Sequence, residues 1–147
     1  MNREIGFRGI NGNSFVYGTY IQGDGEHTKD RIFQLSYNEK TGEEDGICCP
    51  VNPDTVGQYT NVDDINGKRI YEGDIVRINS NFGMDHTGLV VFHKGAFMVK
   101  YKFYGFDRMH PLHFESKDEQ DMGATLHVDY TFEVIGNIFE NPELLAD

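Results

Sequence analysis

Apolar and polar residues alternate with a period of two along most of the chain, in runs too short for helices. "REIGFR" (3–8) sets Ile5 and Phe7 on one side. "FVYGTYI" (15–21) is dense in aromatic and β-branched residues, and "RIFQLSY" (31–37) places Ile32, Gln34 and Ser36 opposite Arg31, Phe33, Leu35 and Tyr37. This period predicts half-buried strands. The punctuation agrees: Asn11-Gly12-Asn13-Ser14 is turn chemistry, because Asn and Gly tolerate positive φ. Gln22 to Asp30 reads as a polar hairpin tip, and "NEKTGEEDG" (38–46) as a solvated acidic loop.

The middle of the chain, "VGQYTNVDDINGKRIYEGDIVRI" (56–78), is predicted to be a hinge rather than a ligand site. Pro50 and Pro53 bracket an extended passage, and Asp54 is placed to cap one short helical turn. Asn66-Gly67 is a type I′ turn signal with Ile65 and Ile70 on either side. Gly73 permits a sharp bend before the strand Ile75–Ile78, and Asp74 is expected to accept backbone N–H groups there. Glu72 and Asp74 could instead face a basic partner, but the structural role is the expectation.

Further on, "TGLVVFH" (87–93) and "AFMVKYKF" (96–103) predict a hairpin across Lys94-Gly95. Residues 103–125 read as irregular, "HVDYTFEVIGNIF" (127–139) as one late strand, and "NPELL" as a terminal helical turn with Pro142 at its first position. No helix of ten residues or more is predicted. The fold class is all-β, in two parts, 1–60 and 61–147.

Composition narrows the function classes. The 147 residues carry 24 acidic and 13 basic side chains, a formal net charge of −11, which opposes polyanions and anionic membranes. The two cysteines, Cys48 and Cys49, are adjacent and form no staple framework. Pro50 and Ile47 beside them predict burial at a strand edge, which silences a thiol. No apolar run approaches the roughly 20 residues of a membrane span. Met1-Asn2-Arg3-Glu4 lacks an apolar h-region, so the expected location is cytoplasmic.

"TVGQYT…NGKRIYEGDIV", the terminal "VIGNIFENPELL" and the opening "REIGFRG", in that order, resemble the YopX family of phage and prophage proteins. The matching positions include Gly57, Gln58, Tyr59, Thr60, Asn66, Gly67, Tyr71, Glu72, Gly73, Asp74, Gly136, Asn137, Asn141 and Pro142. The resemblance implies an N-terminal β subdomain, a C-terminal SH3-like barrel, and a phage or prophage origin; it implies no activity. Asn61 stands where the family often has glycine, and Phe139 where tyrosine is common. Asn suits a left-handed turn better than other non-glycine residues. Cys48-Cys49 is not part of the family pattern.

Few residues offer chemistry. His127 and Asp129, two apart in a predicted strand, share a face, and His110 and His113 add imidazoles for a metal site. The competing reading is that all four are surface or loop polar groups. Asp63-Asp64 and Glu43-Glu44-Asp45 lie beside turns, where carboxylates cap N–H groups rather than flank a cleft. No phosphate loop or dinucleotide fingerprint is present, and no cofactor is expected. Lys94, Phe97, Lys100, Tyr101 and Lys102 interleave charge with aromatic rings, as single-stranded nucleic-acid binders do. Ordinary strand alternation, with Phe97, Val99 and Tyr101 inward, accounts for the same pattern. The leading expectation is a non-enzymatic protein-binding module that self-associates. A nucleic-acid-binding small barrel comes second and a metal-dependent enzyme third.

Overall fold

The computed structural model describes residues 3–81, 83, 85–112, 117–121 and 124–146, with 117–121 and 124–128 as backbone alone. The chain is all-β, its strands antiparallel, with no α-helix among the described residues. It divides into two compact units, Met1–Asn61 and Val62–Asp147.

In the first unit, β1 (Phe7–Asn11), β2 (Ser14–Ile21), β3 (Arg31–Asn38), β4 (Glu43–Pro50) and β5 (Asn52–Asp63) lie in the order β4-β3-β2-β1-β5. The expected turn at 11–14 forms, with Asn11 opposite Ser14 and Gly12 at φ 65°. The polar tip between β2 and β3 is organised by Asp24, whose Oδ1 accepts N–H bonds from Glu26, His27 and Thr28. These donors hold its carboxyl well below the usual carboxylate range. Ile32 is fully buried, and the Arg8 guanidinium, also buried, sits 4.4 Å from the centre of the Phe15 ring.

Two expectations for this unit are corrected. The acidic loop 38–46 is half strand: Glu43, Glu44, Asp45 and Gly46 belong to β4 and pair with Asn38, Tyr37, Ser36 and Leu35. Acidic side chains suit an edge strand, because they stay in water on both faces. Nor does Asp54 cap a helical turn; it lies inside β5. The ladder steps from Arg8–Gly57 to Ile10–Asn52, so the residues between bulge outward. In that bulge the Thr55 hydroxyl accepts from Ile10 N–H at 2.8 Å and donates to Asn52 O at 2.7 Å. A bulge also accommodates Pro53, which has no N–H to contribute to a ladder.

β6 (Arg69–Tyr71) follows β5 in the order of the same sheet. The rest of the second unit is a five-stranded sheet of β7 (Asp74–Ser80), β8 (His86–His93), β9 (Ala96–Phe103), β10 (Phe106–Pro111) and β13 (Tyr130–Asn137), ordered β10-β9-β8-β7-β13. β11 (Lys117–Asp121) and β12 (Ala124–Val128) form a separate hairpin, and Pro142–Leu145 makes one 3-10 turn with proline leading it. Inward positions two apart, Val76 and Ile78, join Ile70, Val90, Val99, Leu112 and Phe132 in one buried cluster. Burying an aliphatic or aromatic side chain of this kind contributes about 1.5–3 kcal/mol each.

The hairpin across Lys94-Gly95 forms as expected, both residues having positive φ (49° and 84°). A second turn of the same kind, Tyr104-Gly105 (50° and 78°), joins β9 to β10. The described residues of 103–125 are therefore largely strand, not irregular. The expected late strand 127–139 is broken at Asp129, where β12 ends and β13 has not begun. The sheet is also open: β10 and β13 are its two edges, whereas a closed SH3-like barrel requires them to pair.

Candidate functional site

The residues that carry the family resemblance are almost all structural. In the first unit Gly57 and Gln58 pair with Arg8 and Phe7, and Tyr59 N–H donates to Gly6 O at 2.8 Å. Tyr59 and Thr60 are buried. Asn61 adopts φ 63°, the left-handed conformation expected of it, and its side-chain amide donates to Glu4 O at 2.7 Å.

In the second unit, segments far apart in sequence converge. Asp64, buried, accepts N–H bonds from Asn66 and Lys68 on Oδ1, both at 2.8 Å. Its Oδ2 accepts from Val134 N–H at 3.0 Å. Burial alone would raise this carboxyl, but the donors from Val134, Lys68 and Asn66 outweigh it and hold the group below the ordinary carboxylate value. The turn at 66–67 is consequently not type I′: Gly67 alone has positive φ, at 78°, and the loop is wound around Asp64. Ile65 is exposed while Ile70 is in the core.

Gly73, at φ 88°, donates to Val90 O and accepts from Ile138 N–H, both at 2.9 Å. Glu72 shares its turn. Asp74, 2% exposed, accepts the Tyr71 N–H on Oδ2 at 2.8 Å, the backbone role assigned to it from sequence. A Cβ on Gly136 would lie 2.7 Å from Asn141 Oδ1 and 2.9 Å from Leu144 Cδ1, so only glycine lets the terminal turn sit down. Asn137 Oδ1 accepts from Phe139 and Glu140 N–H, and its amide donates to Glu140 Oε2 at 2.7 Å. Asn141 N–H returns to Asn137 O at 2.9 Å, and Pro142 opens the final turn.

Of the nucleic-acid candidates, Lys100, Tyr101 and Lys102 line one hollow, and Lys94 and Phe97 lie outside its lining. Lys94 lies in the β8–β9 turn. Phe97 packs against the core and edge-on to Phe92 at 5.2 Å. Tyr101 also packs against the core and stacks on His86 at 4.9 Å. Lys100 and Lys102 do line a common hollow of about 570 Å³ with Asp85, Asp107 and Tyr101, but Lys100 Nζ is 3.2 Å from Asp107. This is the inward-outward alternation of an ordinary strand.

Of the four metal candidates, only His110 and Asp129 have described side chains. His113 and the His127 side chain lie outside the described residues. Asp129 is exposed between strands, so the shared-face argument for 127 and 129 does not apply. His110 is half-buried with Nδ1 2.8 Å from Pro111 O, and edge-on to Tyr130 and Phe132. No group of three metal-ligating side chains occurs among the described residues. Cys48 and Cys49 are free thiols on the edge strand β4; Cys48 is exposed and Cys49 half-buried, so the expected burial does not hold for Cys48.

Sequence reasoning missed Asp64 as an individual, treating it with Asp63 as turn polarity. The signal was an Asp two residues ahead of Asn-Gly, the spacing for bonds to the following N–H groups. It also missed Arg108 and His86, which both line one hollow; nothing local in the sequence marks either. Among the described residues, no helix is long and apolar enough to cross a membrane. No curated protein matches the chain. The family model described as "YopX protein" matches residues 7–146. That span takes in the Asp64 loop, the Gly73 bend and the Gly136–Pro142 closure alike, and the chain belongs to the YopX family.

Proposed function

We propose that the protein is a non-enzymatic, cofactor-free accessory module of phage or prophage origin that works in the host cytoplasm by binding protein, first of all a second copy of itself. The observation that carries this reading is β4. It is the outer strand of the first unit's sheet, exposed along nearly its whole length. Around it Ile47, Leu35 and Tyr37 are 62%, 65% and 64% exposed. An apolar edge of this kind invites strand addition.

A second β4 is the fitting occupant. Antiparallel pairing centred between Gly46 and Ile47 sets Glu43 against Pro50 and Glu44 against Cys49. The acidic ends of the two copies then lie apart, and the apolar middles meet. An SH3-like relation for the second unit belongs to the same reading, since its meander of β7 to β10 is followed by a late strand beside β7.

Light scattering tests this directly. The expected mass is twice 16.8 kDa, falling to the monomer in Ile47→Lys with the far-UV spectrum unchanged. A strict monomer at every concentration, or a dimer indifferent to Ile47→Lys, removes the proposal.

A further inference from the structure

The open sheet of the second unit has a lined seam. Its two edge strands form no ladder with each other, yet His110 on β10 and Tyr130 on β13 meet with ring centroids 4.6 Å apart. Beside that contact is a hollow of about 310 Å³, lined by Ile78, His86, Tyr101, Phe103, Arg108, His110 and Tyr130. His86 stacks on Tyr101 and meets Phe103 edge-on at 5.4 Å, so the rings are held by one another. The volume is at the lower end of the roughly 300–1000 Å³ typical of small-ligand pockets.

Five of the seven lining residues carry a flat ring, which suits a planar aromatic guest. The charge at the rim selects among such guests. Arg108 is exposed and has no ion-pair or hydrogen-bond partner among the described residues. Its guanidinium repels cations, which excludes the ammonium ligands that aromatic cages otherwise take. It matches a phosphate or carboxylate in bidentate fashion. The neighbouring hollow shares the His86 and Tyr101 walls, and its Lys100 and Lys102 are balanced by Asp85 and Asp107, so among the described residues Arg108 is the one charged side chain of the seam's own lining. With a net charge of −11 over the chain, each further phosphate on a guest meets repulsion rather than attraction.

We propose that this seam is a binding site for a small planar aromatic mono-anion, with a nucleoside monophosphate as the simplest molecule of that chemistry. The ring system lies among Tyr101, Phe103 and Tyr130, and the phosphate is held by Arg108.

Calorimetric titration of the full chain at physiological salt tests it, with adenosine and thymidine monophosphates, the corresponding nucleosides, and thymidine oligonucleotides of increasing length. Both monophosphates bind. Arg108→Gln weakens them about tenfold and leaves the nucleosides unchanged, since only the phosphate contact is lost. Phe103→Ala weakens nucleotides and nucleosides alike by about tenfold, the scale of one stacking contact. Both positions are solvent-exposed, and the far-UV spectrum checks that each variant folds. Absence of monophosphate binding, or binding indifferent to both substitutions, overturns the site. Affinity that climbs with oligonucleotide length overturns the choice of guest, because a strand rather than a single nucleotide is then the ligand.

Discussion

The two units differ in how large a core they bury. The second places Val76, Ile78, Val90, Val99 and Phe132 in one cluster with no more than 1% exposure each. The first keeps Ile32, Val51 and Tyr59 inside but leaves Ile5, Tyr17, Ile21, Leu35, Tyr37 and Ile47 in water, all at 47% or more. A sheet of five or six strands with so thin a core gains its stability from hydrogen-bonded ladders and local turns. Its large exposed side chains are then available to a partner. The second unit also exposes Ile65, Phe92, Tyr104 and Phe106, at 56% or more, so the difference between the units lies in the size of the core and not in the surface.

The largest expected effect falls on the second unit. Phe132→Ala empties the centre of its core and costs about 3–5 kcal/mol. Leu35→Ala in the first unit stays within about 0.5 kcal/mol. Urea unfolding of both variants measures the contrast, and equal losses would erase it.

Asp64→Asn comes next. It removes the charge and sets an NH2 donor against N–H groups that both carboxylate oxygens now accept from, at a cost of about 1–3 kcal/mol. The same residue sets a pH dependence. Its folded carboxyl lies below the ordinary value of 3.8, so the stabilisation is complete above that value and is lost as pH falls through the depressed one. Thermal melts between pH 2 and pH 6 should show an acid-side loss in the wild type that shrinks in Asp64→Asn. Identical acid limbs would mean that other carboxylates govern it.

The smallest effect is at Asn61, where alanine in a left-handed conformation costs about 1 kcal/mol and glycine is close to neutral. An Asn61→Gly variant as weakened as Asn61→Ala would show that the bond to Glu4 O, rather than φ, fixes this residue.

Much of the fold could be read from sequence because its signals are local. Asn11-Gly12 and Lys94-Gly95 specify turns through their own φ preferences, and alternation marks β2, β3, β8 and β9. The failures are equally physical. β4 was hidden because an edge strand can carry Glu43, Glu44 and Asp45 as readily as a loop can. β10 was hidden because Tyr104 in a left-handed turn has no residue-type signature. The break at Asp129 is set by where two ladders end, which the period of side chains does not encode. Of the candidate residues, Asp74 was legible since its bond spans three positions. The Asp64–Val134 bond spans 70 and was not.

That span has a consequence for a chain leaving the ribosome. All five strands β1 to β5 are available once residue 63 is out, whereas Asp64 waits about 70 residues for Val134. At translation rates of about 5–20 residues per second this is roughly 4–14 s. During that interval β7 has no neighbour on its β13 side, Gly73 has no Ile138 to receive, and the nascent domain has no lock. Premature termination between the end of β5 and the start of β13 therefore yields a finished first unit tethered to an unfinished second one.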